Sequence, residues 1–230
     1  MASSKNFGIR KRETIGVIKS LVDLECPGQV SCADILVLAA RDAVVRSGGP
    51  LIKVPLGRRD SISSSYKLAD AFLPPASTGV NDMLHIFAEK GMTIDESVAI
   101  LGAHTLGISH CVNIVDRLDK RREKRTGFEL SLGLKCPFGS LASNSTFVGN
   151  DLTIFFFDNQ YYRQAIGGQG VMKIDADMSM DPRTAPIMER FAVDQDEFFQ
   201  TFSSAFLKLS STNVLTGNQG VVRNRCNEVD

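Results

Sequence analysis

Apolar residues recur at helical spacing along most of the chain, and turn residues separate the runs. The first run consists of Ile15, Ile18, Leu21 and Val22. Pro27-Gly28 ends this predicted helix, and Ser31 provides a cap for a second helix that Gly48-Gly49-Pro50 stops. The pattern therefore predicts a mostly α-helical protein.

Helical signals continue in the second half of the chain. Residues 80–89 form a short predicted helix, and Thr93 with Glu96 forms a capping box that opens another. Further helices are predicted over residues 158–166 and from Asp181-Pro182, where Asp is the N-cap and Pro takes the first helical position. A long final helix carries an apolar stripe that we interpret as core: Phe198, Phe199, Phe202, Phe206 and Leu209.

Three stretches lack helical periodicity. Residues 54–78 contain prolines and glycines typical of loops, and residues 126–152 have an irregular pattern. Residues 117–125 are almost all charged, which is typical of a solvated surface loop or helix end.

The charge balance limits the possible partners. The 230 residues include 26 basic and 26 acidic side chains, so no net charge favours nucleic acid or an acidic membrane surface. No apolar run approaches the roughly 20 residues that a membrane helix needs. The first 20 residues also lack the apolar segment of a signal peptide, so the chain as written would be expected in the cytosol.

The cysteines indicate a different compartment. The five are Cys26, Cys32, Cys111, Cys136 and Cys226. None forms a C-x-x-C pair, which argues against structural zinc, and Cys-Pro turns fit a disulfide framework with one cysteine left over. Residues 144–146 form an N-glycosylation sequon. These features suggest a secreted-type chain whose first segment is absent.

The three histidines are candidates for metal or proton chemistry. His85 lies in an apolar helix and is interpreted as structural. His104 is surrounded by small residues that would let a flat, bulky group approach the backbone, so it is a candidate axial metal ligand beside the commoner role of core histidine. A zinc site of His104, His110 and Cys111, or a nucleophilic Cys111, is conceivable but matches no known spacing.

Acidic and hydroxyl side chains supply two further candidate groups. A ligating histidine usually donates its second ring N–H to a carboxylate or carbonyl, and Asp175, Asp177 and Asp181 are candidates that spacing alone does not separate. Residues 150–158 offer several oxygen side chains, which fit either a capped turn or a hard cation such as calcium.

Ordered motifs covering nearly the whole chain resemble the plant secretory (class III) haem peroxidases. They are residues 25–36 (ECPGQVSCADIL), 39–42 (AARD), 48–50 (GGP), 54–60 (VPLGRRD), 101–107 (LGAHTLG), 158–162 (DNQYY) and 215–220 (LTGNQG). The resemblance implies the mostly α plant haem-peroxidase fold as one domain. Residues 1–92 would be the remnant of the distal half with its linking helices, and residues 93–230 the proximal haem and calcium half.

The resemblance also implies the proximal haem site. His104 would be the ligand of the iron in haem b. Counting back from Asp181 at the family's spacing gives Asp175 as the acceptor of the His104 N–H, with Asp177 as a competing register. Ile174 precedes Asp175 where the family usually has Ser.

A calcium site and a substrate position follow from the same resemblance. The calcium ligands would be Thr105, Asp151, Thr153, Asp158 and a carbonyl near Phe156. Asn150 is the alternative to Asp151, which we prefer because a carboxylate contributes charge. Pro74 would lie at the haem edge where substrate enters.

The resemblance implies disulfides Cys32–Cys226 and Cys111–Cys136. In the family the partner of Cys26 lies near the mature N-terminus, so an N-terminal truncation would account for the odd cysteine. The distal motif, with its His and Arg, does not precede Asn6, and neither His85 nor His110 has its flanking residues.

The implied function is that of a haem peroxidase, which removes hydrogen peroxide by oxidising small phenolic donors and responds to oxidative stress. The implied protein is a secreted monomeric glycoprotein. Without the distal His and Arg we expect weak turnover, because general acid–base help is worth roughly 10²–10⁴-fold and one electrostatic donor about 10²–10³-fold. The alternative is a non-enzymatic haem- or calcium-binding remnant of a peroxidase.

Overall fold

The computed structural model describes residues 3–7, 9, 11–118, 126–143 and 145–228. Within these residues the chain forms ten α-helices, short 3₁₀ segments and two short strands. The mostly α fold class predicted from the sequence is therefore confirmed. The described helices include none that is both long and apolar enough to cross a membrane.

The chain divides into two compact units. The first contains Met1–Arg46, Leu51–Leu73 and Leu207–Asp230, and the second contains Ser47–Pro50 and Pro74–Phe206. The boundary expected between residues 92 and 93 stays a prediction.

The first unit contains α1 (Glu13–Glu25), α2 (Cys32–Arg46) and α3 (Tyr66–Phe72). Asp60 caps α2 from a distant part of the sequence, because its carboxylate accepts from the backbone N–H groups of Cys32 at 3.0 Å and Ala33 at 2.8 Å. The Ser31 hydroxyl accepts from Asp34 N at 3.1 Å, as the predicted cap requires. A disulfide joins Cys32 to Cys226 in the same unit.

The second unit contains most of the helices. They are α4 (Val80–Ala88), α5 (Ile94–Leu101), α6 (Gly127–Lys135), α7 (Gln160–Gln164), α8 (Lys173–Met178), α9 (Ala185–Val193) and α10 (Gln195–Ser211). Helix α10 belongs to this unit as far as Phe206. Strands β1 (Ile108–His110) and β2 (Phe147–Gly149) pair antiparallel.

Aromatic rings form the main core of the second unit. Phe198 and Phe202 of α10 are fully buried, which confirms that this part of the Phe stripe is core, whereas Leu209 is 38% exposed and was wrongly predicted as core. The Phe157 ring lies 5.5 Å from Phe198 and 4.7 Å from Phe202, and the Tyr162 ring lies 5.0 Å from Phe198. Each such ring pair contributes roughly 0.5–1.5 kcal/mol of stability beyond that gained from burying its apolar surface. The Phe198 and Tyr162 side chains of this core pack against the segment that carries His104.

A smaller apolar cluster surrounds the second disulfide. Cys111 and Cys136 are bonded and buried, and they pack with Ile114, Leu118, Leu132, Val148 and Val171. The cluster ties α6 and β2 to the segment that precedes α8.

Two stretches that we predicted as irregular contain helices. Helix α3 lies within residues 54–78, and the Ser65 hydroxyl caps it by accepting from Leu68 N at 3.2 Å. Helix α6 lies within residues 126–152 and opens with a capping box of Thr126 and Glu129. The T-x-x-E spacing was visible in the sequence, so this helix could have been predicted.

The predicted helix start at Asp181-Pro182 is wrong. Helix α9 begins at Ala185, and Pro186 rather than Pro182 lies in its first turn. The Asp181 carboxylate instead accepts from the backbone and guanidinium of Arg183, and these hydrogen bonds lower the pKa of Asp181 to about 2. The Asp-Pro pair therefore forms a turn ahead of the helix.

Candidate functional site

His104 lies on a 3₁₀ turn, Gly102–Thr105, that continues α5 without a break. The predicted capping box opens this helix: Thr93 Oγ1 accepts from Glu96 N at 3.1 Å, and Glu96 Oε2 accepts from Thr93 N at 2.8 Å. The Glu96 carboxylate also accepts from the Ser204 hydroxyl at 2.7 Å, which anchors α5 to α10. The capping box and the Glu96–Ser204 contact thus fix the start of the helix that leads to His104.

Gly102 brings this turn close to the aromatic core. A Cβ at this position would lie 2.5 Å from the Tyr162 hydroxyl and 2.5 Å from the Phe198 ring. We expected the small residues around His104 to leave room for a flat ligand, but at Gly102 the room is taken by protein side chains. Ala103 is exposed, and Gly107 has a φ of +82° that favours glycine.

His104 faces a buried carboxylate. Its Nδ1 lies 3.0 Å from Oδ1 of Asp175, whose side chain is 2% exposed, whereas the histidine side chain is 28% exposed. An ionised carboxylate only accepts hydrogen bonds, so in the neutral imidazole this contact assigns the proton to Nδ1 and the lone pair to Nε2. Histidines that ligate a metal through one ring nitrogen commonly donate the other ring N–H to a carboxylate in this way.

The structure separates the two registers that the sequence left open. Asp175 lies in the first turn of α8, where its Oδ2 accepts from Met172 N at 2.9 Å. Asp177 is instead paired with Lys173 on the same helix. Asp175 is therefore the carboxylate beside His104.

Tyr161 is a member of this site that was not predicted from the sequence. Its hydroxyl donates to Asp175 Oδ1 at 2.8 Å, and its ring lies edge-on to the His104 ring at 5.9 Å. Burial first, and then the charge of Asp175, raise the pKa of this phenol well above its usual value. Tyr161 belongs to the DNQYY motif, and this membership was the only signal in the sequence.

Oxygen atoms cluster immediately after His104. The Thr105 hydroxyl donates to Asp151 Oδ2 at 2.6 Å and lies 3.3 Å from Asp158 Oδ1 and 3.4 Å from the Phe156 carbonyl. The Thr153 hydroxyl lies 3.2 Å from Asp151 Oδ1 and 3.1 Å from Asp158 Oδ1. All the residues expected at a calcium site are thus within hydrogen-bonding distance of another member.

Asp151, one of the carboxyl groups of this cluster, has a perturbed pKa. Burial raises the pKa of Asp151, and the charge of Asp158 raises it further, whereas hydrogen bonds from the Thr105 hydroxyl and from the N–H and hydroxyl of Thr153 lower it. Among the described residues, no group of three or more His, Cys, Asp or Glu side chains is suited to a metal. The oxygen atoms of the cluster belong to two carboxylates, two hydroxyls and a carbonyl. Such hard oxygen donors suit calcium.

Asn150 lies outside the oxygen cluster. Its side-chain amide donates to the Leu106 carbonyl at 2.8 Å, and its Oδ1 accepts from the Ser109 hydroxyl at 2.6 Å. Of the two candidates at this position, Asp151 is the one that joins Thr105.

The remaining candidates are accounted for individually. Cys111 is bonded to Cys136, so it provides no thiolate for zinc or for nucleophilic attack. Cys26 is free and partly buried. The His85 side chain is 76% exposed near Glu89, so it is a surface histidine rather than a core one. Pro74 is half-buried, and its role in substrate access stays a prediction.

Two predicted features lie outside the described residues. These are Asn144 of the glycosylation sequon and residues 119–125 of the charged segment.

Comparison with known proteins places these features in a family. A family model described as "Peroxidase" matches residues 1–194. Peroxidase 29 of Arabidopsis thaliana is 54% identical over 236 aligned residues, which cover 99% of this chain and 70% of that protein. Peroxidase 12 and Peroxidase 63 of the same plant are 39% and 37% identical, and the matches cover 98% and 92% of this chain. The chain spans 64% and 65% of these two relatives' lengths.

Proposed function

Because the chain belongs to the peroxidase family, we propose that it holds haem b through His104 and oxidises small phenolic donors with hydrogen peroxide. The observation that carries the proposal is the contact between His104 Nδ1 and Asp175 at 3.0 Å. This contact fixes the tautomer that leaves Nε2 free for iron.

The residues fit a haem group on the side of Nε2. The histidine keeps part of its surface exposed, while its partner carboxylate is buried and fully hydrogen bonded. When bound, the haem iron supplies the redox chemistry with peroxide. Asp175 orients the imidazole and raises its basicity as a ligand.

Calcium binding at Thr105, Asp151, Thr153, Asp158 and the Phe156 carbonyl is part of the same proposal. A cation there would neutralise two neighbouring carboxylates and hold the backbone that follows His104. Thr105 is the link, because it is adjacent to His104 in the chain and its hydroxyl lies in the cluster. The cation would therefore stabilise the position of the histidine without contacting it.

We also propose that the protein acts as a monomer in an extracellular compartment. Its two disulfides favour an oxidising environment. Pro74 would border the entry of the phenolic donor.

The test is to refold the full chain with haem and calcium, then record the Soret band and the peroxide-dependent oxidation of guaiacol. We expect both signals in the parent chain and their loss in His104→Ala. The matched control is His85→Ala, which removes an exposed imidazole and should change neither signal.

The outcomes separate the proposed function from its alternative. A Soret band without turnover would support a non-enzymatic haem-binding protein. Absence of a band in the parent chain, or a band that survives in His104→Ala, would contradict binding through His104.

A further inference from the structure

Asp175 Oδ1 is shared by two side-chain donors. His104 Nδ1 approaches it at 3.0 Å and the Tyr161 hydroxyl at 2.8 Å, while the other carboxylate oxygen accepts from Met172 N at 2.9 Å. Each donor stabilises the charged carboxylate and lowers its capacity to accept from the others. The phenol and the imidazole therefore compete for one oxygen.

The backbone of Asp175 packs against Gly170. A Cβ on Gly170 would lie 2.9 Å from the Asp175 carbonyl carbon and 2.8 Å from Ala176 N, so these segments are in direct contact. The Gly170 carbonyl in turn accepts from the Arg117 guanidinium at 3.1 Å, and that guanidinium also donates to Glu129 at 2.9 Å. This packing limits the freedom of the carboxylate to move away from either donor.

Tyr161 is equally constrained. The residue is 2% exposed, and its ring contacts the rings of His104 and Tyr162 at centroid distances of 5.9 and 4.9 Å. Asn159, two residues earlier at the N-cap of α7, anchors the start of this helix by donating to the carbonyls of Phe191 and Ala192 at 2.9 and 3.1 Å. The hydroxyl is thus held on Asp175.

We propose that Tyr161 is a positioning residue that limits how strongly Asp175 accepts the His104 N–H. Its hydroxyl acts on His104 through Asp175. The consequence for iron rests on the proposed function, since a weaker Nδ1–H···Asp175 bond makes Nε2 a weaker donor to the metal. The effect of Tyr161 on the hydrogen bond between His104 and Asp175 does not depend on haem.

The chain offers a matched control in the adjacent tyrosine. The Tyr162 hydroxyl is as deeply buried, but it donates to the carbonyls of Val98 and Ala99 at 3.1 and 3.4 Å instead of to Asp175. Tyr162→Phe therefore removes the same atom from the same core without removing a hydrogen-bond donor from the shared oxygen.

The experiment compares Tyr161→Phe with Tyr162→Phe in the full chain without haem. The readout is the His104 Nδ1–H resonance in ¹⁵N-histidine-labelled protein, assigned with His85→Gln and His110→Gln. A stronger hydrogen bond moves this proton downfield, so we expect a downfield shift in Tyr161→Phe and little change in Tyr162→Phe. An unmoved or upfield resonance in Tyr161→Phe, or equal shifts in both variants, would overturn the proposal.

A second variant covers the case in which Tyr161→Phe does not fold. The chain has only three tyrosines, so fluorotyrosine in a Tyr66→Phe, Tyr162→Phe background labels position 161 alone. The fluorinated phenol is a stronger donor, and the His104 resonance should move upfield relative to the same background with ordinary tyrosine. A downfield or absent shift would contradict the proposal.

Haem-loaded protein gives an independent readout. The iron–histidine stretching frequency in Tyr161→Phe should rise above that of the parent and of Tyr162→Phe. If no haem binds, the proposed function fails, while the resonance in the haem-free chain still decides the role of Tyr161. An unchanged frequency in loaded Tyr161→Phe would contradict the consequence for iron.

Discussion

The Thr105 hydroxyl lies 2.6 Å from Asp151 Oδ2, and Thr105 is the residue directly after His104. The oxygen cluster and the histidine are therefore joined by a single peptide unit. The Gly107 backbone extends this connection, because its N–H donates to the Ile154 carbonyl at 2.8 Å and its carbonyl accepts from Asn150 N at 3.1 Å. Changes in the cluster should consequently be felt at the histidine.

Thr105→Val should remove the stabilisation that calcium provides. The change leaves Asp151 without its closest donor, which typically costs about 1–3 kcal/mol of unfolding free energy for a buried group. Thermal unfolding with calcium and with EDTA measures the effect. Thr184→Val is the control, because its buried hydroxyl donates to the Met178 carbonyl at 2.7 Å, outside the cluster. It should lose stability and keep the calcium response, and an intact response in Thr105→Val would contradict the proposed site.

Asp151→Asn should stabilise the calcium-free protein increasingly as the pH rises. The pKa of Asp151 is raised above its ordinary value of 3.8, so the folded state binds this proton more tightly than the unfolded chain. The group is neutral in both states at lower pH, and it destabilises the fold as the pH rises through the raised pKa. The difference in Tm between variant and parent in EDTA should widen from about pH 4 to about pH 7.

The control for this titration is Asp196→Asn, at an exposed position of α10. Its difference in Tm from the parent should not grow in the stabilising direction as the pH rises, because a negative charge in the first turn of a helix is favourable. A constant difference for Asp151→Asn would show that the carboxylate does not experience the burial and the charge of Asp158 that we describe.

Asp175→Asn should weaken haem binding through His104. Loss of the carboxylate partner of a metal-ligating histidine typically costs 10–100-fold in metal affinity. Haem titration followed at the Soret band measures the change. Asp177→Asn is the matched control, since its carboxylate lies two residues away and is paired with Lys173. Equal losses in the two variants would indicate a general effect on α8 rather than on the histidine.

Gly102→Ala should destabilise the second unit by about 1–3 kcal/mol, the usual cost of overpacking a core. The new methyl group would meet the Tyr162 hydroxyl and the Phe198 ring at 2.5 Å. Denaturant unfolding measures the loss. Gly16→Ala in the interior of α1 has no neighbour within 4 Å and should be stabilising by up to about 1 kcal/mol. A neutral Gly102→Ala would contradict the packing described for this turn.

Local signals identified helices where the determining atoms are close in sequence. The Thr93–Glu96 capping box and the Ser31 cap each involve a backbone N–H three residues away, so the printed sequence contains the whole interaction. The Thr126–Glu129 box has the same form, so α6 was also predictable from the sequence. The Asp181-Pro182 start failed because Asp181 takes Arg183 as its partner, and propensity alone does not exclude this competing turn.

By itself, the sequence determined the mostly helical class, the family motifs and the histidine and oxygen residues that compose the candidate site. Only the tertiary structure decided between Asp175 and Asp177, because residues two apart on a helix point to different sides and packing sets the rotation of α8. It likewise brought Asp151 rather than Asn150 to the Thr105 hydroxyl, and it placed Tyr161 and His104 on the same oxygen of Asp175. These relationships join residues that are 14 to 71 positions apart, and such distances between atoms exist only once the chain is folded.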